Sequence, residues 1–208
     1  MSEARAAILA RIAAIPRGAA PDAPRSYRRE GIRSPADVIE LFCERVADYR
    51  AEVVRVPATS VAAEVERVLA AHGAARVGVP TGLRTGWRPN GYTLVAEETL
   101  DTAGLDILDA ALTGSTTAIA ETGTVVLACG PEEGRRALTL VPDLHVCVVE
   151  RETVVELVPE AMRRLAELVR RDRRPLTLVS GPSATSDIEL SRVEGVHGPR
   201  RLVVIVAE

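Results

Sequence analysis

The chain has 208 residues, enough for one domain with a large core, and is 47 % hydrophobic but only 2 % aromatic, so that core is built from Ala, Val, Leu and Ile. A net charge of -3 predicts no global pull toward nucleic acid or acidic membranes. All 26 basic side chains are arginine, and the lack of lysine excludes Schiff-base catalysis and a Walker-type phosphate loop.

Ser2 to Ile15 is alanine-rich, carries Glu3, Arg5 and Arg11, and reads as a short amphipathic helix. Pro16 to Arg33 is rich in Pro, Gly and Arg without apolar periodicity, which predicts an extended arm; residues 1–34 are therefore set apart from a main domain at 35–208. Arg25, Arg28, Arg29 and Arg33 make the arm cationic, as a solvated segment or as a reach over an anionic ligand. Ser34-Pro35 is an N-cap followed by proline in the first helical turn, with Val38, Leu41, Phe42, Val46 and Tyr49 at helical spacing behind it.

The pattern then alternates. Ala51 to Val56 reads as a strand, and Ser60 to Ala71 as a helix stopped by Gly73. Arg76 to Val79 and Tyr92 to Val95 are strands either side of a glycine-rich loop from Thr81 to Gly91. Leu105 to Leu112 reads as a strand, although its spacing also allows a helix. Val125 to Ala128 and Val146 to Val149 are strands around a helical turn near Glu132 to Ala137. Thr153 to Arg171 is helical, with Pro159 marking a kink or the true start. Leu176 to Val179 and Leu202 to Val206 are short apolar strands of the kind buried on both faces. Such strands alternating with helices predict an α/β fold: three layers, α/β/α, around a largely parallel sheet.

Two polar stretches interrupt this apolar chain. Between Thr113 and Leu127 lie six hydroxyl residues, two glycines and one carboxylate; between Val179 and Glu189 runs Ser180-Gly-Pro-Ser-Ala-Thr-Ser-Asp187. Burying polar groups is costly unless each is hydrogen-bonded, so each stretch is either a satisfied network or a site for a polar ligand. Both begin at the carboxyl end of a predicted strand, where open parallel sheets bind ligands. The candidate anion- or substrate-binding residues are Thr113, Gly114, Ser115, Thr122 and Gly123 in the first stretch, and Gly181, Pro182, Ser183, Thr185 and Asp187 in the second. Ser186 or Asp187 is placed to cap a helix beginning near Ile188, whose free N–H groups suit a carboxylate or phosphate.

Glu121 is the only carboxylate between Asp109 and Glu132. Low polarity around it would suit proton transfer or nucleophilic attack, which makes it the candidate catalytic residue; the other reading is a structural carboxylate. His197 lies in a turn just before the last strand, within reach of the other loops if the sheet is parallel, whereas His72 and His145 read as structural. Arg84 and Arg88, with Trp87, are placed to close over an anion held by the Ser180 to Asp187 turn, or simply to cover apolar side chains. If the sheet is parallel, the stretches 114–123 and 181–187 are expected to meet His197 at one edge.

Cys43, Cys129 and Cys147 are far apart and form no Cys-x-x-Cys pair, so no metal or iron–sulfur cluster is expected to be held by this chain alone. Unpaired thiols and the lack of a recognisable signal peptide suit a reducing cytoplasm, and no run approaches the roughly 18 apolar residues of a membrane span.

Ala118-Ile-Ala-Glu-Thr-Gly-Thr-Val125, Gly181-Pro-Ser-Ala-Thr-Ser-Asp-Ile-Glu189 and Gly195-Val-His-Gly-Pro199 resemble the lactate-utilisation protein C (LutC/YkgG) family, which carries the LUD domain, over roughly residues 35–207. The resemblance implies a fold like that of the NagB/RpiA/CoA-transferase superfamily. It also implies an accessory or substrate-binding role beside partner proteins that carry iron–sulfur clusters, in oxidising L-lactate to pyruvate. Ala120-Glu-Thr-Gly123 is loosely similar to the glutamate motif of some CoA transferases. The alternative is accordingly a stand-alone enzyme acting on an anionic acyl or sugar-phosphate substrate through Glu121.

Overall fold

Packing in this chain is organised by parallel strands that are apolar on both sides. The computed structural model describes residues 3–15, 26–182, 184–185, 193–194 and 198–208. Helix α1 (Glu3–Ala13) buries none of its side chains. The arm from 26 to 33 is laid along the domain: the N–H groups of Ile32 and Arg33 donate to Glu156 Oε2 at 2.7 and 2.8 Å, and that of Gly31 to Glu160 at 3.1 Å. Helix α2 (Pro35–Asp48) starts as its sequence dictates, with Ser34 Oγ accepting from Asp37 N–H at 3.2 Å and Val38, Ile39, Phe42 and Val46 buried on one face. Strand β1 (Glu52–Val56) and helix α3 (Val61–Ala71) follow, the helix ending at His72 with Gly73 in the left-handed region at φ +66°.

Strands β2 (Arg76–Val79) and β3 (Thr93–Ala96) stand where expected. The stretch Leu105 to Leu112 is divided: a short helix α4 (Thr102–Asp106), capped by Asp101 on the Gly104 N–H at 2.8 Å, precedes β4 (Ala110–Thr113). Asp109 makes the division, because its Oδ2 accepts from the N–H groups of Ala75 and Arg76 and so anchors the start of β4 beside β2. Then come β5 (Thr117–Ile119), β6 (Thr124–Leu127), β7 (Leu144–Glu150), β8 (Val154–Val155), α5 (Val158–Asp172), β9 (Thr177–Val179), β10 (Ala184–Thr185), β11 (Val193–Glu194) and β12 (Arg201–Ala207). Pro159 lies in the first turn of α5, so it opens the helix and does not kink it.

The fold is α/β. Six strands form one sheet in the order β1-β12-β7-β4-β2-β3, every pairing parallel. On one face α3 packs Val61, Val65, Val68 and Leu69 against Val77, Leu112, Val146, Val203 and Ile205. On the other face α2 shares the cover with a second, four-stranded sheet (β8-β5-β6-β9), whose Ala118, Ala120, Val125 and Leu127 meet Cys147, Val149 and Val204. Helix α5 then covers the far side of that small sheet through Ala161 and Leu165 on Ile119 and Val126. The small sheet is the part the sequence reading did not foresee. β5 lies inside the first polar stretch, and β9 pairs antiparallel with β6, Val125 opposite Val179, outside the main sheet. The second polar stretch therefore does not start from the carboxyl end of a main-sheet strand.

The contact between arm and domain is testable. Glu156 is only 5 % exposed and satisfies two peptide groups of the arm. Glu156→Ala leaves those N–H groups without an acceptor and is expected to cost about 1–3 kcal/mol and to speed proteolysis within 26–33; urea unfolding and limited proteolysis measure both, and a variant cut at the wild-type rate contradicts the docking.

Candidate functional site

The hydroxyls of the first polar stretch are engaged within the fold. Ser115 Oγ donates to the Val148 carbonyl at 3.2 Å and Thr117 Oγ1 to that of Thr153 at 2.6 Å, while Thr116 donates to Glu133. Thr124 Oγ1 shares hydrogen bonds of 2.7 Å with the hydroxyls of Thr122 and Ser180. Among the described residues no buried side-chain nitrogen or oxygen lacks a partner. Most of this stretch is thus a satisfied network holding β5 and β6 between their neighbours.

Glu121 sits at the tip of the β5–β6 hairpin, with its N–H on the Glu156 carbonyl at 3.0 Å. Its side chain is 44 % exposed and meets the Arg28 guanidinium at 2.5 Å. The apolar surroundings expected for it are absent, because the hairpin tip projects past the small sheet to meet the arm. Gly123 answers a geometric demand: φ is +57°, and a Cβ there would lie 2.6–2.7 Å from the carbonyl carbon and oxygen of Arg45 in α2.

Arg84 and Arg88 follow β2, at the carboxyl edge of the main sheet. Arg84 is held by Glu132 at 2.6 Å and by both oxygens of Glu150 at 2.5 and 2.7 Å, and it stacks over Trp87 at 4.6 Å. Two carboxylates on one guanidinium leave the cluster net negative, a poor place for an anion. Arg88 donates to the carbonyls of Thr81 and Leu83, closing its own loop. The loop packs on Gly114, whose Cβ position is 3.0 Å from the Trp87 ring. Gly181, in contrast, lies against Tyr49, just before β1 begins, and hence at the amino edge. The Arg84–Arg88 loop does not close over the Ser180 turn, because a strand length of sheet separates them.

At the amino edge there is a cavity of about 300 Å³ whose lining includes Arg136, His145, Ser180, Gly181, Pro182 and Gly198. It brings the Gly181-Pro182 turn together with the Gly198-Pro199 turn, and Thr124 reaches the same corner through Ser180. Of the other expected residues, Ser183, Asp187 and His197 lie outside the described residues, as does the helix expected near Ile188. Thr185 is described only in its main chain, where Ala184–Thr185 pairs antiparallel with Val193–Glu194.

The residue that sequence reading passed over is His145. Pairing of β4 with β7 sets Thr113 beside Cys147 and Ala111 beside His145, and Thr113 Oγ1 lies 2.8 Å from His145 Nε2. Its only sequence signal is the alternation His145, Cys147, Val149 on one side of a strand whose other residues, up to the terminal Glu150, are aliphatic. Burial pushes the His145 imidazole down to about 4 and the Cys147 thiol up to about 12, so one stays neutral and the other protonated near pH 7.

The family follows from comparison. The LUD domain profile matches residues 104–207. The chain is 43 % identical over 206 residues to "Lactate utilization protein C" of Deinococcus radiodurans, covering 99 % of this chain and 96 % of that one. The chain belongs to the LUD-domain family. A protein of the same name from Shouchella clausii is 35 % identical over 105 residues, half of this chain and 45 % of that one. The crystal structure of a DUF162 family protein from Deinococcus radiodurans matches this LUD-domain chain with a TM-score of 0.75 and 40 % identity, over 85 % of this chain and all of that one. No described helix is long and apolar enough to cross a membrane.

Two outcomes test this geometry. Gly123→Ala forces a left-handed alanine into the α2 backbone and is expected to lose at least about 2 kcal/mol by urea unfolding; wild-type stability would contradict the close approach. His145 titrates near 6.5 in the unfolded chain and at about 4 in the fold. Between those values the unfolded state binds the extra proton, so stability falls as pH drops from 6.5 to 4, by roughly 3 kcal/mol in all. Unfolding curves of wild type and His145→Gln across that window should diverge in slope by this amount; parallel curves would show that the imidazole is not buried.

Proposed function

We propose that this chain is the accessory, substrate-binding subunit of a cytoplasmic system that oxidises L-lactate to pyruvate. The observation that carries this reading is the 43 % identity over 99 % of the chain to a lactate utilization protein C. The ligand site in this reading is the amino-edge cavity, where the two glycine–proline turns meet beside Arg136. Its 300 Å³ falls at the small end of ligand pockets and suits a small carboxylate. Iron–sulfur chemistry is assigned to partner proteins: Cys43, Cys129 and Cys147 are scattered, and Cys147 is a buried, protonated thiol. The alternative, a stand-alone enzyme acting through Glu121, is disfavoured by the exposure of that carboxylate and its ion pair with Arg28.

Deleting the gene is expected to abolish growth on L-lactate and spare growth on pyruvate, with Glu121→Gln restoring growth as well as the wild-type copy. A pull-down from lactate-grown cells should bring down iron–sulfur proteins. Unchanged growth of the deletion strain on lactate refutes the role, and a dead Glu121→Gln copy that still folds returns the enzyme reading.

A further inference from the structure

A chain of hydrogen bonds crosses the middle of the main sheet and ends at the amino-edge cavity. Thr113 Oγ1 lies 2.8 Å from His145 Nε2 and 3.8 Å from Cys147 Sγ, and Cys147 Sγ lies 3.4 Å from the Gly114 carbonyl. Only one set of protons satisfies all three contacts. Cys147 S–H donates to the carbonyl, the Thr113 hydroxyl donates to the sulfur, and Thr113 therefore accepts from His145 Nε2–H. A neutral imidazole protonated on Nε2 carries its lone pair on Nδ1. Among the described residues Nδ1 has no hydrogen-bond partner. His145 is one of the residues that line the cavity. None of the described lining residues is a carboxylate, and the one charged group is Arg136, whose exposed guanidinium makes no ion pair among the described residues.

We propose that the cavity recognises a small 2-hydroxy acid, His145 Nδ1 accepting the hydrogen bond of the hydroxyl and Arg136 pairing with the carboxylate. This rests on the substrate-binding reading above and adds what it lacks, the basis for telling the alcohol from its oxidised product. A hydroxyl offers the proton that Nδ1 needs, whereas the keto oxygen of a 2-oxo acid offers only lone pairs. Thr113 and Cys147 are positioning residues, because they hold the proton on Nε2 and keep the acceptor side of the ring toward the ligand. The same arrangement gives Thr113, Gly114 and Cys147 a part in binding without contact.

The full-length protein with ¹⁵N-labelled histidine tests the tautomer directly: with three histidines in the chain, NMR at pH 7 should show the buried one protonated on Nε2. Calorimetry with L-lactate and with pyruvate should show lactate bound roughly ten- to a hundredfold more tightly, the usual penalty for an acceptor left unpaired. Thr113→Val frees the tautomer and should bring the two affinities together, Thr113→Ser should keep them apart, and Arg136→Ala should weaken both ligands alike. An Nδ1–H tautomer, equal affinities in the wild type, an unchanged ratio in a folded Thr113→Val protein, or no binding of either acid at millimolar concentration each overturns the inference. In any of those cases a deletion strain that still fails on lactate leaves the role in lactate oxidation standing and moves the ligand elsewhere.

Discussion

Strands β7 and β12 lie side by side in the centre of the main sheet and bury nearly every side chain on both faces. Alternate residues leave opposite sides of a strand, so Val146, Val148, Val203 and Ile205 need one cover and Cys147, Val149, Val204 and Val206 another. Helix α3 supplies the first. The second is wider than α2 alone can span, and the β5–β6 hairpin with β8 and β9 fills the remainder. From that follow the position of α5, the docking of the arm on Glu156, and the turn at Gly123 that lets the hairpin tip pass under α2.

The same constraint decides which polar groups are structural. Inserting a small sheet into an apolar interface brings Thr117 and Thr124 into the core and covers Thr113 at the end of β4, each 4 % exposed or less. A buried hydroxyl without a partner would offset much of what the neighbouring valines contribute, so Thr117 is tied to the Thr153 carbonyl, Thr124 to the hydroxyls of Thr122 and Ser180, and Thr113 to His145 and Cys147. His145 differs in kind, since among the described residues only one of its ring nitrogens is used in this way.

Charge is distributed with similar economy. With arginine as the only strong cation, the carboxyl edge spends Arg84 on Glu132 and Glu150 and Arg88 on main-chain carbonyls. Arg135 is likewise bound to the buried Glu97 at 2.6 Å. Its neighbour Arg136, at the amino edge, makes no ion pair among the described residues. The edge that open parallel sheets most often use for ligands is here closed by its own salt bridges, while the opposite edge carries the cavity and Arg136.

Much of the fold was legible in the sequence. The Ser34-Pro35 cap, the Gly73 stop and the apolar runs of β1, β2, β7 and β12 are local signals, set by backbone geometry and periodicity within a few residues. They suffice for helices, strands and a parallel sheet. The motif blocks around Gly181 and Pro199 also pointed to one corner of the molecule. What only tertiary structure decided was direction and pairing: that β9 joins β6 and not the main sheet, that the Arg84 loop and the Ser180 turn stand at opposite edges, and that Glu121 meets Arg28 in solvent. His145 is the sharpest case. Its neighbours in sequence are aliphatic, and its chemistry comes from Thr113, 32 residues away. A strand pairing brings the two together, and burial then fixes the charge of the imidazole; neither can be read from residues taken one after another.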